Sequence, residues 1–176
     1  PADGLEISAF SENNVVKLYY TANTYTLTVN YKYADGSEAA ETVTKTVAYG
    51  EDYSADVPAI EGYTPDPATV SGTMPAKDVT VDVTYTANSY TIGYELNGGT
   101  VDGANPVKYT VESGEITLIN PTKAGYTFTG WSGTGLTGED NTTVTIPTGS
   151  TGDREYEAHW SAAVEYAIDH KRDGGA

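Results

Sequence analysis

The chain has 176 residues, no cysteine, and 25 acidic against 9 basic side chains for a net charge of −16. The missing cysteines exclude disulfide staples, zinc–thiolate sites and thiol nucleophiles. The acidic balance argues against nucleic acid and anionic membrane surfaces, which need basic patches, and suits a soluble, self-repelling extracellular protein. Tyr and Thr are frequent, and both favour half-exposed strands. No apolar run reaches the roughly 18 residues of a bilayer-spanning helix. The opening Pro1-Ala2-Asp3-Gly4 has none of the basic and apolar regions of a secretory leader, so any leader or anchor is expected outside these residues.

Residues 1–22 are expected to close a preceding repeat, the chain being a piece of a longer array. The run Val15-Val16-Lys17-Leu18-Tyr19-Tyr20-Thr21-Ala22-Asn23 matches Thr80-Val81-Asp82-Val83-Thr84-Tyr85-Thr86-Ala87-Asn88 at an offset of 65 positions, and the later copy ends a unit. The alternative is that this strand belongs to the first full unit.

That unit spans 23–87. Tyr25, Leu27, Val29, Tyr31 and Tyr33 alternate with polar residues, the period of a strand with one buried face. Asp35-Gly36 predicts a hairpin turn, since glycine accepts positive φ there. Val43, Lys45, Val47 and Tyr49 predict the return strand, stopped by Gly50. One short helical turn is expected at 52–57, with Asp52 as its N-cap. Pro58, Pro65, Pro67 and Pro75 exclude helix from the next stretch and confine it to loops and edge strands. Val79, Val81, Val83 and Tyr85 line one face of a closing strand.

Residues 88–161 repeat the plan. Tyr90, Ile92, Tyr94 and Leu96 alternate, Asn97-Gly98-Gly99 is a turn, and Val107, Tyr109 and Val111 return. A short apolar run at 116–119 leads to Pro121. Residues 132–143 read as a Gly/Thr-rich loop, Val144 and Ile146 as a short strand, and Tyr156, Ala158 and Trp160 as the closing one. Residues 162–176 are a tail or the start of another unit.

The strongest single signal is Gly125-Tyr126-Thr127-Phe128-Thr129-Gly130-Trp131. It is echoed 63 positions earlier by Gly62-Tyr63-Thr64-Pro65, and in both copies a proline stands five residues before the tyrosine. The chain is therefore built of repeated modules of about 65–75 residues. Modules of that size bury little surface, so packing between neighbours is expected to contribute to stability. The junction Thr86-Ala87-Asn88 has no Gly/Ser run, which predicts an extended, semi-rigid array.

These residues resemble two families. The first unit is similar to a MucBP-type repeat, through Tyr31-Lys32-Tyr33-Ala34-Asp35-Gly36-Ser37-Glu38, Gly50, Pro58-Ala59-Ile60-Glu61-Gly62-Tyr63, Val70-Ser71-Gly72-Thr73 and Val79-Thr80-Val81. The second resembles the Listeria–Bacteroides, or internalin B-type, repeat. It does so through Tyr90-Thr91-Ile92, Asn97-Gly98-Gly99, the stretch from Pro121 to Trp131, and Tyr156-Glu157-Ala158-His159-Trp160. The resemblance implies a mainly β fold, α+β at most, of tandem β-grasp or ubiquitin-like modules with little helix. It also implies a place on a bacterial surface protein, often Gram-positive, and no catalytic site or cofactor. The loop after Trp131 departs from the family pattern, so strand pairing at 132–155 is left open.

Several side chains are candidates for chemistry. Tyr126, Phe128 and Trp131 are candidates for an aromatic platform stacking on a sugar ring; the plainer reading places them in the core. Asp102, Asn105, Glu139, Asp140 and Asn141 are oxygen donors in turns, but their spacing fits no calcium loop, which favours solvated turns over a metal site. Surface repeats of Gram-positive bacteria sometimes join Lys to Asn by an isopeptide bond. Lys17, Lys32 and Lys45 are the candidates, Lys45 above all, because it shares the parity of Val43 and Val47 and is expected to face inward; a snorkelling lysine is the alternative. His159 reads as a surface strand residue, and no Ser/His/Asp set is arguable from the two histidines. The functional expectation is a non-catalytic stalk or spacer, and protein or glycan interaction module, of a secreted or cell-wall-attached adhesin. Its neighbours would be further repeats, and its partners host mucin glycans or a host surface protein. The alternatives are direct mucin or host-glycan binding, or an accessory module of a secreted glycan-active enzyme.

Overall fold

In the computed structural model, residues 19–162 are described. β1 (Thr24–Tyr33) forms where apolar and polar residues alternate, and Leu27, Val29 and Tyr31 are buried on its inner face. One carboxylate oxygen of Asp35 accepts both the amide and the hydroxyl of Ser37, and Gly36 at φ 88° turns the chain into β2 (Glu38–Ala48), antiparallel to β1. The chain then runs through β3 (Asp52–Ala55), β4 (Tyr63–Asp66) and β5 (Val70–Thr73) before β6 (Val79–Ala87). β6 lies parallel to β1, with Leu27 beside Val79 and Tyr33 beside Tyr85. Parallel neighbours need a crossover; here the small β3–β5 sheet fills it, and the main sheet has the order β2-β1-β6-β4.

The core of this unit joins Leu27, Val29, Tyr31, Val83 and Tyr85 from the sheet to Ala55, Val70 and Met74 from the crossover. The Tyr31 and Tyr85 hydroxyls donate to the carbonyls of Asp56 and Pro58, each at 2.6 Å. Each ring thus fills the core while its hydroxyl holds the loop above, which a phenylalanine would not do. The helical turn expected at 52–57 is instead β3. Six residues are too few to nucleate a stable helix, whereas pairing with β5 buries Ala55 and Val70, and the Asp52 carboxylate accepts the Thr73 hydroxyl at 2.9 Å. Pro65 sits on β4 at the sheet edge, as its missing N–H requires.

The second unit has the same plan: β7 (Tyr90–Glu95), β8 (Lys108–Tyr109), β9 (Ile116–Thr117), β10 (Tyr126–Gly133), β11 (Thr145–Ile146) and β12 (Arg154–Ala162). Its sheet runs β8-β7-β12-β10 with β12 parallel to β7, and β9 pairs with β11 across the crossover. The return strand is shorter than expected. Only Lys108 and Tyr109 pair with β7, and Val107 is 63% exposed. Ser132 and Gly133 belong to β10 rather than to the loop, opposite Glu157 and Tyr156. The rest of that loop is held by Asn141, whose amide donates to the carbonyls of Trp131, Thr137 and Gly138.

Every regular element among the described residues is a strand, so the fold is mainly β. The parallel central pair fits a ubiquitin-like sheet. The crossover carries β3–β5 and β9–β11 where such a fold has its helix, and the β-grasp expectation is not confirmed. The strand expected at residues 15–22 lies outside the described residues except for Tyr19 to Ala22, which have no regular structure. The continuation expected after 162 also lies outside them.

Candidate interaction surface

The structure distributes the three aromatics of the Gly-Tyr motif over three environments. Trp131 is fully buried. Its indole N–H donates to Asn120 Oδ1 at 2.9 Å, and Tyr94 and Phe128 pack on it at ring-centroid distances of 6.2 and 5.6 Å. It has no face to offer a ligand. Phe128 is half-buried, edge-on to both Trp131 and Trp160. Tyr126 is 47% exposed, with the Lys123 ammonium 4.3 Å from its ring centroid. That ammonium also donates to the Asn97 carbonyl at 2.8 Å. A register shift in β10 between Phe128 and Gly130 sets this arrangement, since it lets residues of unlike parity both turn inward. Gly130 is required there: its φ is 153°, and a Cβ would overlap the Asp140–Asn141 backbone.

The first copy of the motif occupies the seam between the units. Gly62 is buried, and a Cβ on it would overlap the Val111 side chain of the second unit. The Tyr63 hydroxyl donates to Glu112 at 3.2 Å, and burial together with that carboxylate raises its pKa. Thr151 donates to Glu61 at 3.2 Å. The linker is held as well: the Asn88 amide donates to the Gly62 carbonyl at 2.8 Å, and Thr64 donates to the Asn88 side chain at 2.6 Å. Only Asn88 and Ser89 separate β6 from β7.

The other candidates hold parts of the fold. Lys45 lies on the inner face, paired with Leu27, but is exposed at the sheet edge, and its ammonium donates to the Ser54 carbonyl at 2.7 Å. β2 is an edge strand, so residues of its inner parity reach past the core. Lys32 is 3.8 Å from Asp82 on the surface, and Lys17 lies outside the described residues. Asn105 brackets Ile119 through both its amide atoms, while Asn141 ties its own loop to β10, so these turn residues serve separate loops. Among the described residues no group of three His, Cys, Asp or Glu is placed to hold a metal ion. A shallow recess of about 250 Å³ is lined by Glu95, Glu155 and Glu157 with Ser132, Gly133 and Tyr156. Asn97 donates to Glu95 and to Glu157, which restrains two of the three carboxylates.

One constellation was not legible in the sequence. The Ser132 hydroxyl lies 2.7 Å from His159 Nε2, and His159 Nδ1 lies 3.6 Å from the Glu139 carboxylate. These residues meet only through the β10–β12 register. Hydroxyl, imidazole and carboxylate stand in the order of an activated nucleophile. Glu139 is 74% exposed, however, and the contact's evident effect is to fasten the 134–143 loop to β12.

Comparison with known proteins divides the chain where the structure does. Residues 26–86 match the MucBP domain, and residues 90–155 match the Listeria-Bacteroides repeat domain. Internalin H of Listeria monocytogenes is 39% identical over 79 residues, which are 44% of this chain and 14% of that protein. Among solved structures, the type 2 repeat of the mucus binding protein MUB from Lactobacillus reuteri is 32% identical with a TM-score of 0.33, covering 38% of this chain and 50% of the other. The MucBP domain of the adhesion protein from Pediococcus pentosaceus is 26% identical with a TM-score of 0.30, covering 38% of this chain and 99% of the other. Two adjoining stretches of the chain are thus similar to a MucBP domain and a Listeria-Bacteroides repeat domain, repeats of the adhesion type that occurs in secreted and cell-surface bacterial proteins.

Proposed function

We propose that the two modules are a non-catalytic spacer segment of a bacterial surface adhesin, holding other parts of that protein at a fixed distance and direction. The seam carries this reading. A linker of two residues, pinned at Asn88, joins modules that also touch through Gly62 and Val111 and through Tyr63 and Glu112. A flexible tether of Gly and Ser has none of these restraints. NMR relaxation of the whole chain tests it. One shared rotational correlation time for the two modules is expected, and two independent ones would sink the spacer reading.

A second reading is direct binding of mucin-type glycans, which the exposed Tyr126 ring favours. Titration against a panel of mucin glycans checks it. Saturable binding that is lost in a folded Tyr126→Ala variant would put recognition ahead of spacing.

A further inference from the structure

We infer that the Gly125-Tyr126 turn is a docking surface for a further repeat module, which it receives as the Gly62-Tyr63 turn receives the second unit. This rests on the spacer reading. The two turns are the same structure. Gly62 and Gly125 have φ of 80° and 75°. The amides of Tyr63 and Tyr126 each donate at 3.1 Å to the carbonyl three residues back, on Ile60 and Lys123. Each tyrosine pairs with an alanine near the end of its closing strand, Ala87 or Ala162.

What differs is the cover. Gly62 is buried, and a side chain there would overlap Val111; Gly125 is exposed, and a Cβ on it would meet nothing within 4 Å. Tyr63 is half-buried with its hydroxyl on Glu112, whereas Tyr126 is 47% exposed. A large ring and a bare glycine Cα form an apolar seat in the first copy, and in the second copy none of the described residues covers the same seat.

The filled seat defines the occupant of the open one. It receives an aliphatic side chain against the glycine, followed by a carboxylate at the tyrosine hydroxyl. At the open turn Lys123 stands where the first unit has Ile60, and its ammonium lies over the Tyr126 ring. That adds a positive charge at the place a carboxylate would approach, so the second seat suits the same partner better. The occupant is a further Listeria–Bacteroides-type module with an aliphatic residue and a glutamate at the positions of Val111 and Glu112. A second copy of this chain does not qualify, because its own Val111 and Glu112 are engaged by Gly62 and Tyr63.

The test is a lengthened chain in which residues 88–162 are repeated directly after Ala162, so that the new junction again reads Ala-Asn-Ser-Tyr. With no native cysteine, spin labels go on Thr44→Cys with Thr117→Cys across the first seam. They go on Thr117→Cys in both copies across the second. Pulsed electron resonance should give a narrow distance distribution at each seam. Tyr126→Ala with Lys123→Ala should broaden the second alone, and Gly62→Val the first alone; near-ultraviolet dichroism from Trp131 checks that the modules stay folded. A narrow first seam with a broad second one overturns the docking inference and leaves the spacer reading standing. Broad distributions at both overturn the two together. A second seam that stays narrow without Tyr126 and Lys123 overturns the assigned surface.

Discussion

The large side chains divide between filling the core and fastening loops, and two of them make sharp tests. Trp131→Ala empties a site with no exposed surface and leaves the Asn120 carbonyl without its indole donor. Chemical denaturation should show the second module destabilised by about 3–5 kcal/mol; a loss under about 1 kcal/mol would mean that the ring is not in the core. Tyr94 reports through pH. Burial, with a smaller contribution from Tyr156, pushes its pKa up to about 12, and its hydroxyl donates to the Pro106 carbonyl at 2.8 Å. A raised folded-state pKa stabilises the fold fully below the unfolded value of about 10 and loses that contribution as pH rises through the folded one. Stability should therefore fall between about pH 10 and 12. Tyr94→Phe should lower stability at pH 8 and flatten that alkaline decline, and an unchanged slope would assign the decline to other groups.

At the scale of elements, the parallel pair at the centre of each sheet begins with the same device. Asp78 accepts the Thr26 amide and Asp153 accepts the Thr91 amide, both at 2.7 Å, joining the residue just before the closing strand to the first strand of its unit. Hydrogen bonding from Thr91 holds the Asp153 carboxyl below its ordinary 3.8. A depressed folded-state pKa stabilises above the unfolded value and loses that contribution as pH falls through the folded one. Asp153→Asn should therefore flatten the acid limb of the stability curve below about pH 4 while changing the alkaline limb little. An acid limb of wild-type slope would show that this bond contributes nothing to the pairing. Elements also show where sequence reading ran out. The strands of alternating Tyr, Val and Leu were legible because a buried face imposes a period of two. The short strand at Val144 and Ile146 was read as well, as β11, but β3 and the pairings β3–β5 and β9–β11 were not, because strands of two to four residues have too few positions to display a period. The bulge before Gly130 left no trace in the pattern for a related reason, since one inserted residue reverses every parity after it; Trp131 was placed in the core by its size alone.

For the whole molecule, charge and the seam dominate. Net charge is −16 with the histidines neutral, and the ion pair of a lysine or arginine among the described residues is Lys32 with Asp82. Repulsion among acids is therefore little offset. Screening should raise the thermal midpoint as salt goes from low concentration to about 0.5 M, where the Debye length is a few ångströms. A midpoint that falls would mean that attractive surface pairs outweigh the repulsion.

The sequence by itself determined the repeat, the mainly β class, the order of the long strands and the acidic, cysteine-free character, because periodicity and composition are local and additive. It also pointed to the Gly-Tyr motif as the place that matters. Only the tertiary structure decided what each copy of that motif does. Gly62 and Tyr63 are covered because residues about 50 positions away fold back onto them, while Gly125 and Tyr126 stay open. Burial at a seam depends on which surfaces are brought together, and two local sequences of the same pattern carry no record of that.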